Sequence, residues 1–317
     1  MKTITRKLIE NFYQGQLTPE PTTLNVEVTN ICNLDCVMCP ASSVKRPRGM
    51  MDLELYKDVL AEAVEMGVRQ IGLHTVGESI LHPRIAEFVA VSKATGLYTY
   101  MDANGNRVRN GLARDIVAAG LDSLKFSMDA HEPELYARIR RGGDLDTVLA
   151  NLRAFDEARK QLNPAMRLYA LFIINSLNQS YVNDFIRLVR PWVDEVEISL
   201  VLNQGEQFEG YEGLVSPDLR DLMARHRKPG PCPNPFKRIT VSWDGWLTAC
   251  CIDFELQMAY AKYEKGTLRQ AWTSQALERM RQGMLDMDFA SVPMCANCDM
   301  MLYDIPALCT ELNEKYK

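Results

Sequence analysis

The chain has 317 residues, 47% of them hydrophobic and 24% charged, which is the balance of a globular protein with a sizeable core. Its net charge is −5 and it has no strongly basic tract, so no electrostatic grip on nucleic acid is expected. No segment reaches the apolar length of a membrane span, and the first 17 residues lack a cleavage-site pattern, so a cytoplasmic location away from membranes is expected.

Residues 1–22 read as an N-terminal arm, 23–215 as one domain and 216–317 as a second, smaller one. Residues 23–29 alternate apolar and polar, the period of a strand, and three cysteines follow at once. Asp52 is placed to cap a helix to about Met66, with Leu53, Tyr56, Val59 and Leu60 on one face. Strands are then predicted at 70–75, 97–103, 124–128, 167–174 and 195–201. Between them the periodicity predicts helices at 83–94, 108–119, 132–139, 145–159 and 181–189. Six βα units imply a parallel sheet with helices outside it, too few for a closed eight-stranded barrel. The pattern breaks at 203–213, and Lys228-Pro229-Gly230-Pro231 reads as a linker. Two β-rich runs, 238–243 and 246–250, flank Asp244-Gly245 and predict a tight hairpin. A helix over 268–284 and Cys295-Ala296-Asn297-Cys298 complete the pattern.

Nine cysteines without a secretion signal point to metal ligation, not disulfides. Cys32-x3-Cys36-x2-Cys39 packs three thiols into eight residues at the C-terminal end of the first predicted strand. Crowding of this kind suits one iron–sulfur cube, with a fourth iron left open; a structural zinc site, which takes four ligands, is the alternative. The spacing resembles the signature of radical S-adenosylmethionine (SAM) enzymes, whose open iron chelates SAM. The resemblance implies an α/β fold built on a partial (β/α)6 barrel, a SAM-binding 4Fe–4S cluster and a 5′-deoxyadenosyl radical that abstracts hydrogen from a C–H bond. It also implies a reducing partner such as flavodoxin or ferredoxin.

Other residues extend the resemblance. Val76-Gly77-Glu78-Ser79 is similar to the family's Gly-Gly-Glu-Pro segment, departing from it at Val76 and Ser79. Gly77 and Glu78 offer the acceptors that the SAM ammonium needs. Asn104-Gly105 resembles the family's Asn-Gly turn. Ser127 and Asp129 stand at alternate positions at a strand end, suited to ribose hydroxyls or to the methionine moiety. Tyr136-x-Arg138-Ile139-Arg140 resembles a Tyr-x-x-Ile-Arg run, and either Arg138 or Arg140 is placed to pair with the SAM carboxylate. The run Lys45-Arg46-Pro47-Arg48 reads as a solvated loop or a clamp for an anionic group.

In the C-terminal part, Cys232, Cys250, Cys295 and Cys298 resemble the ligand set of the small twitch form of the SPASM domain, which holds one auxiliary 4Fe–4S cluster. Four thiolates also suit zinc. Adjacent strand residues face opposite ways, so Cys251 is surplus to that set. It is either a small buried hydrophobe or a hydrogen donor to a carbon radical, as in the family's epimerases, including neomycin epimerase. Cys309 reads as structural or exposed.

The outcomes left open are epimerisation through Cys251, dehydrogenation of a secondary alcohol with the auxiliary cluster accepting an electron, peptide maturation, and electron carriage without a substrate. The second resembles 2-deoxy-scyllo-inosamine dehydrogenase. A carbohydrate-like or aminocyclitol-like small molecule is the expected substrate. Glu206, Asp253 and Glu255 are candidates to meet its amino groups.

Overall fold

The computed structural model describes residues 20–316, so the expected N-terminal arm lies almost wholly outside the described residues. The first strand, β1 (Thr23–Val26), is buried at every position, as a parallel strand covered on both faces must be. Five more strands follow it in the sheet: β2 (Gln70–Gly72), β3 (Tyr98–Ala103), β4 (Ser123–Ser127), β5 (Arg167–Ile174) and β6 (Glu195–Leu200). All six run parallel in sequence order, as expected for a partial barrel of βα units.

Strand alternation separates the two faces. In β3, Thr99, Met101 and Ala103 are buried, whereas Tyr100 and Asp102 are only partly so. The first set meets the helices and the second lines the lumen. The helices are α1 (Leu53–Glu65), α2 (Ile85–Ala94), α3 (Leu112–Ala118), α4 (Pro133–Ile139), α5 (Leu145–Leu162) and α6 (Val182–Val189). In α1, Asp52 accepts from the Glu54 and Leu55 N–H groups at 2.8 and 3.3 Å, which supplies the N-cap. Its buried stripe is Leu53, Tyr56, Val59, Leu60 and Ala63.

The sheet does not stop at the expected domain boundary. Strand β7 (Arg238–Val241) pairs in parallel with β1, and β8 (Trp246–Thr248) and β9 (Ala259–Lys262) extend the sheet in antiparallel fashion to nine strands. The predicted Asp244-Gly245 turn joins β7 to β8, with Gly245 at φ +90°, a conformation glycine adopts without a steric penalty. The helix expected over 268–284 is in fact two, α7 (Leu268–Trp272) and α8 (Gln275–Asp286). The Ser274 hydroxyl accepts from Leu277 N–H at 3.3 Å and starts the second. Helix α9 (Ile305–Lys315) covers the free edge of β6, where the Asn313 amide accepts from Ile198 N–H at 2.9 Å and donates to Ile198 O at 2.7 Å.

Candidate active site

Beyond β1 the chain turns into the loop that carries Cys32, Cys36 and Cys39. The base of this loop is closed by its own polar groups. Asn30 donates to Pro47 O and accepts from Gly49 N–H, at 2.7 and 2.9 Å. Arg48 donates to Asn30 O at 2.7 Å and to Ala41 O at 2.6 Å. A two-residue ladder pairs Asp35 with Arg141 and Cys36 with Arg140, and Arg140 Nη1 stands 3.8 Å from Cys36 Sγ. All three thiols line one cavity of 540 Å³.

The same cavity takes up most of the predicted SAM-site residues. Gly77, Glu78, Asn104, Ser127 and Arg140 all line it. Gly77 sits at φ +84°, and a Cβ there would lie 2.4 Å from Thr29 O. Only glycine lets this turn close on the cysteine loop, where Glu78 N–H donates to Ile31 O at 2.8 Å. The Glu78 carboxylate accepts from Asn104 N–H at 2.6 Å and Ile80 N–H at 3.3 Å. Burial nevertheless pushes its pKa up to about 7. The Asn104 amide donates to Asn33 Oδ1 at 3.1 Å, which ties the third strand's turn to the same loop.

The structure separates Arg138 from Arg140. Arg138 is exposed on α4, whereas Arg140 is buried against Cys36. Asp129 stands behind Arg140 and is fully buried. Its Oδ2 accepts from Arg140 Nε at 2.8 Å and its Oδ1 from Ile173 N–H at 2.6 Å. Its backbone lies at φ +65°, a left-handed conformation that aspartate tolerates better than most residues. That turn sends the carboxylate away from the face Ser127 occupies.

The C-terminal cysteines reach the cavity from the other side. Cys232, Cys250, Cys295 and Cys298 line it, and so does Cys251. The Cys251 sulfur lies 3.4 Å from Arg238 Nη1 and 4.0 Å from Asn234 Nδ2, a setting that Cys250 does not share. Cys309 lies elsewhere, on α9, with its sulfur 3.7 Å from Ser199 Oγ.

Of the carboxylates expected to meet a substrate, Asp253 and Glu255 are spent on the fold, and Glu206 is exposed and does not line the cavity. Asp253 accepts from Thr248 Oγ1 and from the Gln257 and Met258 N–H groups at 2.7–2.8 Å. Glu255 accepts from the Lys45 and Arg46 N–H groups, and Glu206 accepts from Asn297 Nδ2 at 3.2 Å. The run Lys45–Arg48 is largely solvated, as expected of a loop, but its two guanidinium groups are engaged within the fold and do not wait for an external anion. Arg46 pairs with Glu27, and Arg48 holds the loop carbonyls.

The donor set fits iron–sulfur clusters. Burial pushes the Cys32 pKa up to about 11 and that of Cys39 to about 12, and both Cys232 and Cys295 to about 12. Thiolates so placed need the positive charge that bound iron supplies. Among the described residues, no three Cys, His, Asp or Glu side chains close on one point as around a single ion.

The sequence reading missed the lumen-facing His74, Tyr100, Asp102, Lys125 and Arg238. The signal was present as polar residues at alternate positions of β3 and β4, the strands' inward face.

Comparison with known proteins agrees with this geometry. The radical SAM superfamily matches residues 26–189, and the SPASM iron–sulfur cluster-binding domain matches residues 232–299. GTP 3′,8-cyclase of Heliobacterium modesticaldum is 28% identical over 194 residues, covering 60% of this chain and 58% of that one. Mycofactocin maturase MftC of Mycobacterium tuberculosis is 30% identical over 147 residues, covering 46% and 37%. The chain thus spans less than two thirds of the length of these curated relatives. Among solved structures, BtrN in complex with AdoMet and 2-DOIA shares the fold with a TM-score of 0.59 at 18% identity, over 89% of this chain and 94% of that one. The structure of anSMEcpe with bound AdoMet has a TM-score of 0.65 at 14% identity, over 93% of each chain. The two domains imply a SAM-binding 4Fe–4S cluster, SAM itself and an auxiliary iron–sulfur cluster. A cavity ringed by two sets of thiols at the mouth of a parallel sheet, together with a family match over half its length, makes this chain a member of the radical SAM superfamily.

Proposed function

We propose that this protein epimerises a carbon centre of a small, hydroxyl-rich substrate, with Cys251 returning the hydrogen atom. The observation that carries the reading is the position of Cys251: it lines the same cavity as both cysteine sets, yet its thiol is turned to Arg238 and Asn234.

In this reading Cys32, Cys36 and Cys39 hold the SAM-binding cluster, and Cys232, Cys250, Cys295 and Cys298 hold the auxiliary one. The first cluster, when bound, supplies the electron that splits SAM into methionine and the radical that takes the substrate's hydrogen. Gly77 and Glu78 receive the SAM ammonium, Ser127 and Asn104 face its polar groups, and Arg140 pairs with its carboxylate. Asp129 positions Arg140 and does not itself touch SAM. Cys251 then gives its S–H hydrogen atom to the opposite face of the carbon radical. The sulfur radical left behind takes one electron and one proton, supplied by a reductant of the flavodoxin or ferredoxin class, and the thiol is restored.

Dehydrogenation of a secondary alcohol is a second reading, favoured by the continuity of one cavity between the two cysteine sets. Turnover in heavy water distinguishes the two. Epimerisation yields a product one mass unit heavier than the substrate, and Cys251→Ala abolishes the label while SAM is still cleaved. A product two mass units lighter, with Cys251 dispensable, would establish dehydrogenation in its place.

A further inference from the structure

Hydrogen bonds inside the lumen leave a surplus of acceptors. Asp102 Oδ2 stands 3.7 Å from His74 Nε2, beyond hydrogen-bond distance. Among the described residues, His74 Nδ1, Thr75 Oγ1 and Gln204 Oε1 are buried without a partner. All four side chains line the one cavity. Against them, among the described residues, the cavity offers Arg238 Nε as an unpartnered N–H donor, and the Thr75 hydroxyl can itself donate as well as accept. Of the other cations, Arg140 is taken by Asp129 and Lys125 by Glu197, at 2.5 and 2.7 Å. Burial holds the His74 imidazole below its ordinary pKa, although Asp102 pulls the other way. In the tautomer protonated at Nε2, the neutral ring presents Nδ1 as a bare acceptor.

Acceptors buried without donors cost free energy that a ligand must recover. A ligand rich in O–H and N–H groups fits, and a carboxylate among the acceptors favours one that is also cationic. We propose that Asp102 and His74 form a receptor for the ammonium group of the substrate, with Thr75 and Gln204 accepting from its hydroxyls. This deepens the reading above and rests on it: the substrate class becomes a protonated amino-polyol, as against a neutral sugar or a phosphorylated one.

The test is an equilibrium measurement on the full chain, reconstituted anaerobically with its clusters and saturated with SAM. Calorimetry is run with 2-deoxystreptamine, its N-acetylated derivative and myo-inositol, a cyclitol without amines. The amine is expected to bind, and the acetylated and amine-free rings to bind about 10-fold more weakly or worse. Asp102→Asn is expected to weaken the amine by about 10- to 100-fold while SAM binds as before. Equal binding of the three rings, binding of none, or an Asp102→Asn chain that holds the amine unchanged would each overturn the proposal. The ligand comparison needs no variant, so a misfolded Asp102→Asn chain does not spare it. Binding is read without turnover, so the two proposals fail separately. A chain that holds the amine but never labels its product keeps the receptor and loses the epimerase. A chain that labels a neutral polyol does the reverse.

Discussion

Arg46 and Glu27 form a buried, two-pronged ion pair: Nη1 donates to Oε1 at 2.9 Å and Nη2 to Oε2. The same guanidinium donates through Nε to Phe254 O at 2.6 Å, and Glu255 holds the Lys45 and Arg46 N–H groups. One residue of the loop carrying the first three cysteines is thereby tied both to the end of β1 and to the loop that follows Cys250 and Cys251. Each cysteine set is positioned partly by the other's loop.

Removing Arg46 leaves Glu27, 3% exposed, without its counter-ion in the interior. Arg46→Ala is expected to destabilise the chain by about 3–5 kcal/mol, read as a shift in the denaturant midpoint. Arg46→Lys should recover little, because an ammonium cannot span both carboxylate oxygens and the Phe254 carbonyl. A midpoint that does not move would show that the pair ties the loops without stabilising the fold.

With Glu78 in the proposed SAM site, SAM affinity is expected to depend on pH. Burial raises its pKa to about 7, so the folded chain keeps the proton that an unfolded chain releases near the ordinary carboxylate value. Its contribution to apo stability is therefore fully present at acidic pH and is lost as pH rises through about 7. SAM binding follows the opposite course, since an ammonium pairs with the ionised carboxylate. Affinity is expected to rise through the same window, and Glu78→Gln should flatten both profiles. Parallel pH profiles for the natural chain and the variant would take Glu78 out of the SAM site.

What could be read from the sequence was local in origin. The Cys-x3-Cys-x2-Cys crowding, the strand alternation and the Asp52 cap all express themselves within a few residues, and each is found in the structure. The partners that complete the site come from far along the chain. Strand β7 lies beside β1 although Thr23 and Arg238 are neighbours only in the sheet, and Phe254 lies 208 positions from Arg46. Asp129 shows the limit most clearly. Alternation places it with Ser127, but one left-handed residue turns the carboxylate to Arg140. The acidic residues near the auxiliary cysteines also looked free for a substrate, because backbone N–H groups, which consume most of their oxygens, carry no sequence signature.

The relation of Asp129 to Arg140 gives a test of positioning. Asp129→Asn keeps the size and one acceptor but removes the charge that orients the guanidinium. SAM affinity is expected to fall by about 10-fold, the lower end of what losing an orienting partner costs a bound group, with the iron content unchanged. Arg140→Lys should lose at least as much. Arg138→Ala, on the exposed side of α4, is expected to leave SAM binding intact. If Arg138→Ala were the variant that weakened SAM, the assignment of the two arginines would be reversed.

The adjacent cysteines of the second set decide the most. Iron and labile sulfide are counted after anaerobic reconstitution of the natural chain, Cys250→Ala and Cys251→Ala. Two cubes predict about eight irons per natural chain, and loss of one ligand set about four. Cys250→Ala is expected to fall towards the lower figure, because Cys250 lines the cavity with Cys232, Cys295 and Cys298, and burial and the neighbouring thiols raise its pKa. Cys251→Ala is expected to retain all the iron, since its thiol is turned to Arg238 and Asn234. If Cys251→Ala lost half the iron and Cys250→Ala kept it, the two would exchange roles. The hydrogen donor would then have to be sought at Cys250, or epimerisation would give way to dehydrogenation.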